Sequence, residues 1–369
     1  MSGSPARQFL REQQTLGIFP GSRYLVARGK EVLEEGWLGH SVVTPEVVAT
    51  DRDTIYDLAS LTKPLVTGAL SAVLASRGRL HLESALEEYL PETAGGWIGR
   101  ATLLELLTHR SGLPAWLPLY LKVSDRGGYL REISSLAPEY RPGTRVTYSC
   151  LGYILMTLVL ERVSGLPLDD LARQEIFSPL GLEETFFRPP SALRRRIAAT
   201  EAGNRREEEM AGDAGRGFSG WRQGVIWGEC HDLNAYTLGG VSGNAGLFST
   251  ARDLHAMALE LLGSGRGLYD EKCLSLLKGD LTPRLNENRS VGWQLARTPD
   301  CSAGPLLSPG SLGHTGFTGT SIWIDPEAGW ILVLLTNRVH PHYRPDDMNA
   351  VRRQFHRRVL GREWYKREA

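Results

Sequence analysis

The sequence predicts an α+β protein, an antiparallel sheet built from both ends of the chain with a mostly helical region inserted between them. Three observations carry this prediction. Strand-like segments pair near each terminus, the middle of the chain has helical periodicity, and Pro and Gly clusters cut that middle into short pieces. At 369 residues the chain is long enough for one large domain or two intimately packed ones.

Near the start, Ser22–Ala27 and Glu31–Trp37 flank Arg28-Gly29-Lys30 and read as a hairpin. Helical patterns follow over Leu61–Ser76, Leu103–Thr108, Leu151–Val163, Leu168–Ile176 and Asp253–Leu262. Turn signals at Pro91, Pro114, Pro142-Gly143 and Pro179-Leu180-Gly181 punctuate these segments. Residues Arg188–Gly220 are rich in charge, Gly and Pro, so the Arg194–Arg196 and Glu207–Glu209 runs are expected on solvated faces or in a long loop. Near the end, Thr320–Ile324 alternates, Asp325–Gly329 is a turn, and the apolar run Trp330–Thr336 suits a buried central strand. Asp346–Ala369 has helix-forming composition without Pro. Residues 1–75 and 235–369 are therefore expected to form the sheet part, residues 76–234 the helical part, with an active site at their junction.

Composition excludes several function classes. Forty-two Lys plus Arg balance 42 Asp plus Glu, which argues against a nucleic-acid partner or a polybasic membrane binder. No stretch approaches about 18 uninterrupted apolar residues, so no membrane span is expected. Met1–Thr15 is polar and charged, without the apolar core of a signal peptide, and the expected location is the cytoplasm. Cys150, Cys230, Cys273 and Cys301 form no Cys-x-x-Cys pair, and free thiols are expected. The histidines show no metal-ligand spacing, and no metal or organic cofactor is expected.

Three short motifs bear chemistry. In Ser60-Leu61-Thr62-Lys63 residues three apart share a helix face, so the amine reaches the hydroxyl. A hydroxyl needs a base before it attacks, and a Lys serves as that base only if its pKa is lowered. A second copy, Ser275-Leu276-Leu277-Lys278, shows that the spacing alone is weak. Tyr148-Ser149-Cys150 sits at a loop–helix junction, where a phenol near a Lys is a candidate base. His314-Thr315-Gly316 lies in a run of small residues, Gly313–Ser321, that lets a substrate backbone approach a strand closely. Each motif taken singly also suits ordinary packing.

In this order the three resemble the serine β-lactamase and penicillin-binding-protein superfamily, and the class C β-lactamase-like branch with its family VIII esterases and D-amino-acid peptidases in particular. Tyr56–Lys63, Leu106–Leu113 and Gly239–Thr250 extend the resemblance over nearly the whole chain. It implies a β-lactamase/transpeptidase-like fold, an antiparallel sheet flanked by helices and joined to a helical domain. It also implies a Ser60 nucleophile, Lys63 aiding its deprotonation, and Tyr148 as the base and proton shuttle. The backbone N–H groups of Ser60 and Phe317 would form the oxyanion hole, and His314, Thr315, Gly316 and Cys150 would meet substrate. His314 would tune Tyr148 or contact a substrate carboxylate.

Two departures tilt the expectation. Cys150 stands where the family often has Asn or Asp, and a thiol is a weak hydrogen-bond partner for an amide. His314 stands where the family has Lys, and neutral His dominates near pH 7. Both point to an esterase on small carboxylic esters or amides. A β-lactamase or D-Ala-D-Ala-type carboxypeptidase is the alternative, and a non-catalytic relative the third. His231-Asp232 is expected in a structural loop bordering the cleft. Trp116, Tyr120, Trp221 and Trp227 are left to the core.

Overall fold

The computed structural model describes residues 4–361. Nine strands occur among them: β1 (Gly21–Arg28), β2 (Glu31–Val42), β3 (Val48–Ala49), β4 (Tyr56–Asp57), β5 (Phe248–Ser249), β6 (Gln294–Leu295), β7 (Leu312–Thr315), β8 (Ser321–Asp325) and β9 (Trp330–Thr336). Seven form one sheet in the order β3-β2-β1-β9-β8-β7-β6, and β4 pairs with β5 apart from it. Every pairing is antiparallel. The two chain ends meet at the centre, where Ser22 of β1 faces Thr336 of β9 and Arg28 faces Trp330.

Both central strands are covered on both faces, which explains their apolar composition. Side chains alternate between faces along a strand. Tyr24, Val26, Leu332 and Leu334 point to one side, against Phe9, Leu10, Val351 and Phe355 of the terminal helices Pro5–Thr15 and Met348–Leu360. Leu25, Ala27, Ile331 and Val333 join a larger cluster on the other side, with Val66, Leu70, Leu151, Leu155 and Leu254. This cluster runs from sheet to helices without a break. The β8–β9 turn is closed by Asp325, whose carboxylate accepts the N–H groups of Glu327 and Ala328 (3.0 Å each). Gly329 completes it at φ +77°, a conformation open to glycine.

The expected helices are present with altered winding. Lys63–Gly68 is π-wound before the α-helix Ala69–Ser76. The stretch from Leu168 divides into Leu168–Ala172, π-wound Arg173–Phe177 and Ser178–Leu180. The C-terminal helix begins at Met348, capped by the Asp347 carboxylate, and ends at Leu360. Its expected continuation from residue 362 onward lies outside the described residues.

One expectation fails. Residues Arg188–Gly220 contain the 3₁₀ turn Ser191–Arg196 and the helix Arg205–Ala211. Arg194 and Arg195 are exposed as expected, but Glu207 is buried. Its carboxylate accepts the Leu233 N–H (3.0 Å), so it serves a chain turn rather than solvent. The four cysteines are free. Trp227 is core, packed with Val42, Ile55 and Phe248. Among the described residues no single helix is long and apolar enough to cross a membrane.

Candidate active site

The turn before Ser60 is built by strain and then locked. Ala59 has φ +47°, a conformation a non-glycine residue keeps only when its surroundings hold it. The Asp57 carboxylate accepts the Ala59 N–H (2.8 Å), and the Ala59 carbonyl accepts the Thr62 hydroxyl (2.6 Å). Leu58 N–H donates to the Leu247 carbonyl (2.9 Å). Ser60 then sits in a single 3₁₀ turn, Ala59–Leu61, partly exposed to a cleft.

Lys63 is fully buried beneath it. Its ammonium donates to Ser60 Oγ (3.1 Å), the Asn244 carbonyl (2.9 Å) and Cys150 Sγ (3.4 Å). An ammonium has three donors, and each has a partner here. Burial works against this charge, but Cys150, Tyr148 and Asp232 outweigh burial and hold the Lys63 pKa above the ordinary lysine value. That direction is opposite to the one a lysine base requires, and it keeps Lys63 an ammonium at neutral pH.

Tyr148 lies just before the helix Cys150–Ser164. Its ring centroid is 4.8 Å from Lys63 Nζ, and it lines the same cleft as Ser60 and Cys150. Burial pushes its pKa up, against the pull of Lys63, so the resting group is a phenol. The ring rests on His109 (4.6 Å between centroids). His109 in turn accepts the Ser149 N–H at Nδ1 (3.0 Å), which fixes the start of the helix. Burial also pushes the Cys150 thiol up, so a neutral thiol lies against Lys63.

The third motif reaches the same cleft along β7. A Cβ on Gly316 would lie 2.1 Å from Thr320 Oγ1 and 2.4 Å from the Leu58 carbonyl. Only glycine fits this close approach to the segment before Ser60, and Phe317 lines the same cleft as Ser60. His314 is buried, and burial together with Arg289 and Lys63 pushes its pKa well below the ordinary value. Its Nδ1 contacts the Thr315 carbonyl (2.9 Å). A carbonyl accepts only from a protonated nitrogen, so Nε2 carries the lone pair. That Nε2 is buried without a partner. A neutral His314 cannot supply positive charge to the site.

The cleft has a volume of about 590 Å³ and joins Ser60, Tyr148, Cys150, His314, Thr315, Gly316 and Phe317, as the motifs required. Lys63 lies beneath. His231 also reaches it and bonds Glu201 through Nε2 (3.0 Å), while Asp232 caps the short helix Leu233–Thr237. Trp116 lines the cleft as well. Sequence reasoning missed several participants. Asn244 meets Lys63 through its carbonyl and Asp232 through its side-chain NH₂ (3.3 Å), and the Gly-rich stretch around it was a signal. Arg289 lies 5.9 Å from the Tyr148 ring centroid and is the buried cation on that side. Arg352, inside the C-terminal helix, reaches the Gly316 and Thr320 carbonyls (3.2 and 3.0 Å). Among the described residues no group of three His, Cys, Asp or Glu side chains is placed to hold a metal ion.

Comparison with known proteins bears on the family and the fold. The Beta-lactamase family model matches residues 6–356. A putative D-alanyl-D-alanine carboxypeptidase of Escherichia coli (strain K12) is 32% identical over 365 residues, covering 90% of this chain and 81% of that protein. An N-acetylmuramyl-L-alanine amidase of Bacillus subtilis (strain 168) is 30% identical over 360 residues, covering 89% and 79%. Among solved structures, a class C beta lactamase from Rhodobacter sphaeroides shares the fold with a TM-score of 0.70 at 21% identity, covering 95% of this chain and 97% of that one. EstCE1, a hydrolase with promiscuous acyltransferase activity, does so with a TM-score of 0.71 at 20% identity, covering 96% and 95%.

Proposed function

The chain belongs to the beta-lactamase family of serine hydrolases, and on that premise we propose that it cleaves small carboxylic esters or amides through an acyl-enzyme on Ser60. The observation that carries this reading is Lys63 Nζ at 3.1 Å from Ser60 Oγ and 4.8 Å from the Tyr148 ring centroid, with Ser60 and Tyr148 lining one cleft.

In the proposed cycle Tyr148 first loses its proton to solvent water, a loss that the adjacent ammonium favours. The phenolate takes the proton from Ser60 Oγ as that oxygen attacks the acyl carbon. The negative oxygen of the tetrahedral intermediate accepts hydrogen bonds from the Ser60 and Phe317 N–H groups. Tyr148 then gives its proton to the departing alkoxide or amine, leaving the acyl group on Ser60. Water attacks the acyl-enzyme as Tyr148 takes its proton, and when the Ser60 Oγ–acyl bond breaks Tyr148 returns that proton to Ser60 Oγ, releasing the acid and restoring the phenolate.

Two features favour esters as the first substrate class. The thiol of Cys150 is a weak partner for a substrate amide. The His314 imidazole is neutral and offers no fixed charge for a substrate carboxylate. One observation favours a second reading, a peptidase or amidase acting on an anionic substrate. Arg352 is buried on the cleft wall with its Nε unbonded and Asn349 held beside it (2.8 Å), a suitable receptor for a carboxylate. The relatives named carboxypeptidase and amidase agree with that reading. Comparing kcat/KM for p-nitrophenyl butyrate, an N-acetylated D-alanyl-D-alanine peptide and nitrocefin separates the two. The ester reading requires the butyrate to lead by at least about tenfold. A lead by the peptide or the cephalosporin overturns it in favour of the second.

A further inference from the structure

Asp57 occupies the meeting point of the two chain segments that flank the reacting carbonyl. It is 3% exposed. One carboxylate oxygen accepts the N–H of Ala59, the strained residue before the nucleophile (2.8 Å). The other accepts the N–H of His231 (2.7 Å), 174 residues away. The Asp57 carbonyl accepts the hydroxyl of Thr318 (2.7 Å), the residue after Phe317. The Leu58 carbonyl accepts the Thr320 hydroxyl (3.0 Å).

His231 extends this frame. Its ring lies on the Phe317 ring (5.5 Å between centroids, 26° between planes), and Phe317 stacks on Tyr343 (5.4 Å, 4°). The far nitrogen of His231 is held by Glu201 (3.0 Å), and Arg338 Nε donates to the Phe317 carbonyl (3.1 Å). From one residue, side-chain bonds reach the turn that carries the Ser60 N–H and the histidine that packs on Phe317. A backbone bond reaches the residue beyond Phe317.

We propose that Asp57 is a positioning residue that holds the Ser60 and Phe317 N–H groups at the spacing a tetrahedral oxyanion needs. This rests on the Ser60 acyl-enzyme reading. A carboxylate suits the place because both its contacts are donors, and it is acceptor-only when ionised. An asparagine there has one acceptor oxygen, so its NH₂ faces either Ala59 N–H or His231 N–H. Small misplacements at such a site carry large rate penalties because the oxyanion contacts act only in the transition state.

The test compares wild type, Asp57→Asn and Thr318→Val, the last removing only the hydroxyl that binds the Asp57 carbonyl. Two quantities are measured, p-nitrophenyl butyrate kinetics and phenylboronic acid affinity by calorimetry. Boron adds to the serine oxygen as a tetrahedral centre, so its affinity reports the oxyanion site without turnover. Asp57→Asn is expected to lower kcat about 10- to 100-fold, with KM within about threefold and boronate affinity falling in proportion to kcat/KM. Thr318→Val should show a smaller loss on the same proportional line, and it decides the matter if Asp57→Asn does not fold. Folded variants whose kcat and boronate affinity both stay within about twofold of wild type overturn the proposal. So does a loss confined to KM. If Ser60→Ala binds the boronate as tightly as wild type, the acyl-enzyme reading fails, and this inference falls with it.

Discussion

The chain contains the Ser-x-x-Lys spacing twice, and the two copies have little else in common. At Ser60–Lys63 the chain passes from a strained residue through one 3₁₀ turn into a π-wound segment, and the lysine is fully buried. At Ser275–Lys278 the same spacing lies in the regular helix Glu271–Lys278. There Ser275 is exposed, and Lys278 turns its ammonium to the Leu261 carbonyl (3.2 Å). Spacing puts two side chains on one face in both cases. Only the first copy adds a fully buried ammonium, a phenol ring centred 4.8 Å from it and a cleft shared with His314 and Phe317. The difference locates the chemistry in the surroundings of the motif.

The widest expected gap between the copies is at the serines. Ser60→Ala should lower kcat/KM for p-nitrophenyl butyrate by about 10³-fold or more, while Ser275→Ala stays within about twofold. Equal effects would erase the distinction. The lysines come next. Lys63→Met should cost about 10²- to 10³-fold in kcat, against no measurable change for Lys278→Met. Thermal denaturation of each variant separates this from unfolding, because Lys63→Met also leaves the buried Asn244 carbonyl without its ammonium partner.

A pH profile sharpens the same contrast. Both Tyr148 and Lys63 have raised pKa values, so the proton-poor form that attacks is scarce at neutral pH. Below those values the ester kcat/KM, corrected for spontaneous hydrolysis, should climb by up to about tenfold per pH unit as pH rises from neutral. A flat profile from pH 6 to 9 would assign the base elsewhere. The smallest expected effect is at Cys150. Cys150→Ser should change ester turnover by no more than about threefold, since a neutral hydroxyl replaces a neutral thiol beside Lys63. A loss comparable to that of Lys63→Met would give the thiol a direct role.

Much of the fold was readable because it rests on local pattern. The apolar run Trp330–Thr336 becomes a central strand, and Ser22–Ala27 pairs with it because both are covered on two faces. Ser60, Lys63, Tyr148 and the His314 segment were readable because each has a short motif. The rest depends on contacts between distant segments of chain. Glu207 looks like one of three solvated acids, yet its carboxylate accepts the Leu233 N–H across 26 residues. Asn244 reaches Lys63 through its backbone carbonyl, a contact that no side-chain pattern records. The raised Lys63 pKa arises from Cys150, Tyr148 and Asp232 converging on one buried ammonium, and no local spacing shows that convergence. Arg352 lies in a helix whose composition predicts only a helix.

The most direct measurement is rapid-mixing hydrolysis of p-nitrophenyl butyrate with intact-mass analysis of the quenched enzyme, for wild type beside Ser60→Ala. An acyl-enzyme on Ser60 should give a burst of about one equivalent of p-nitrophenolate and a butyryl adduct mapped to Ser60, both absent in the variant. Turnover in Ser60→Ala equal to wild type, or an adduct mapped to another residue, would contradict it.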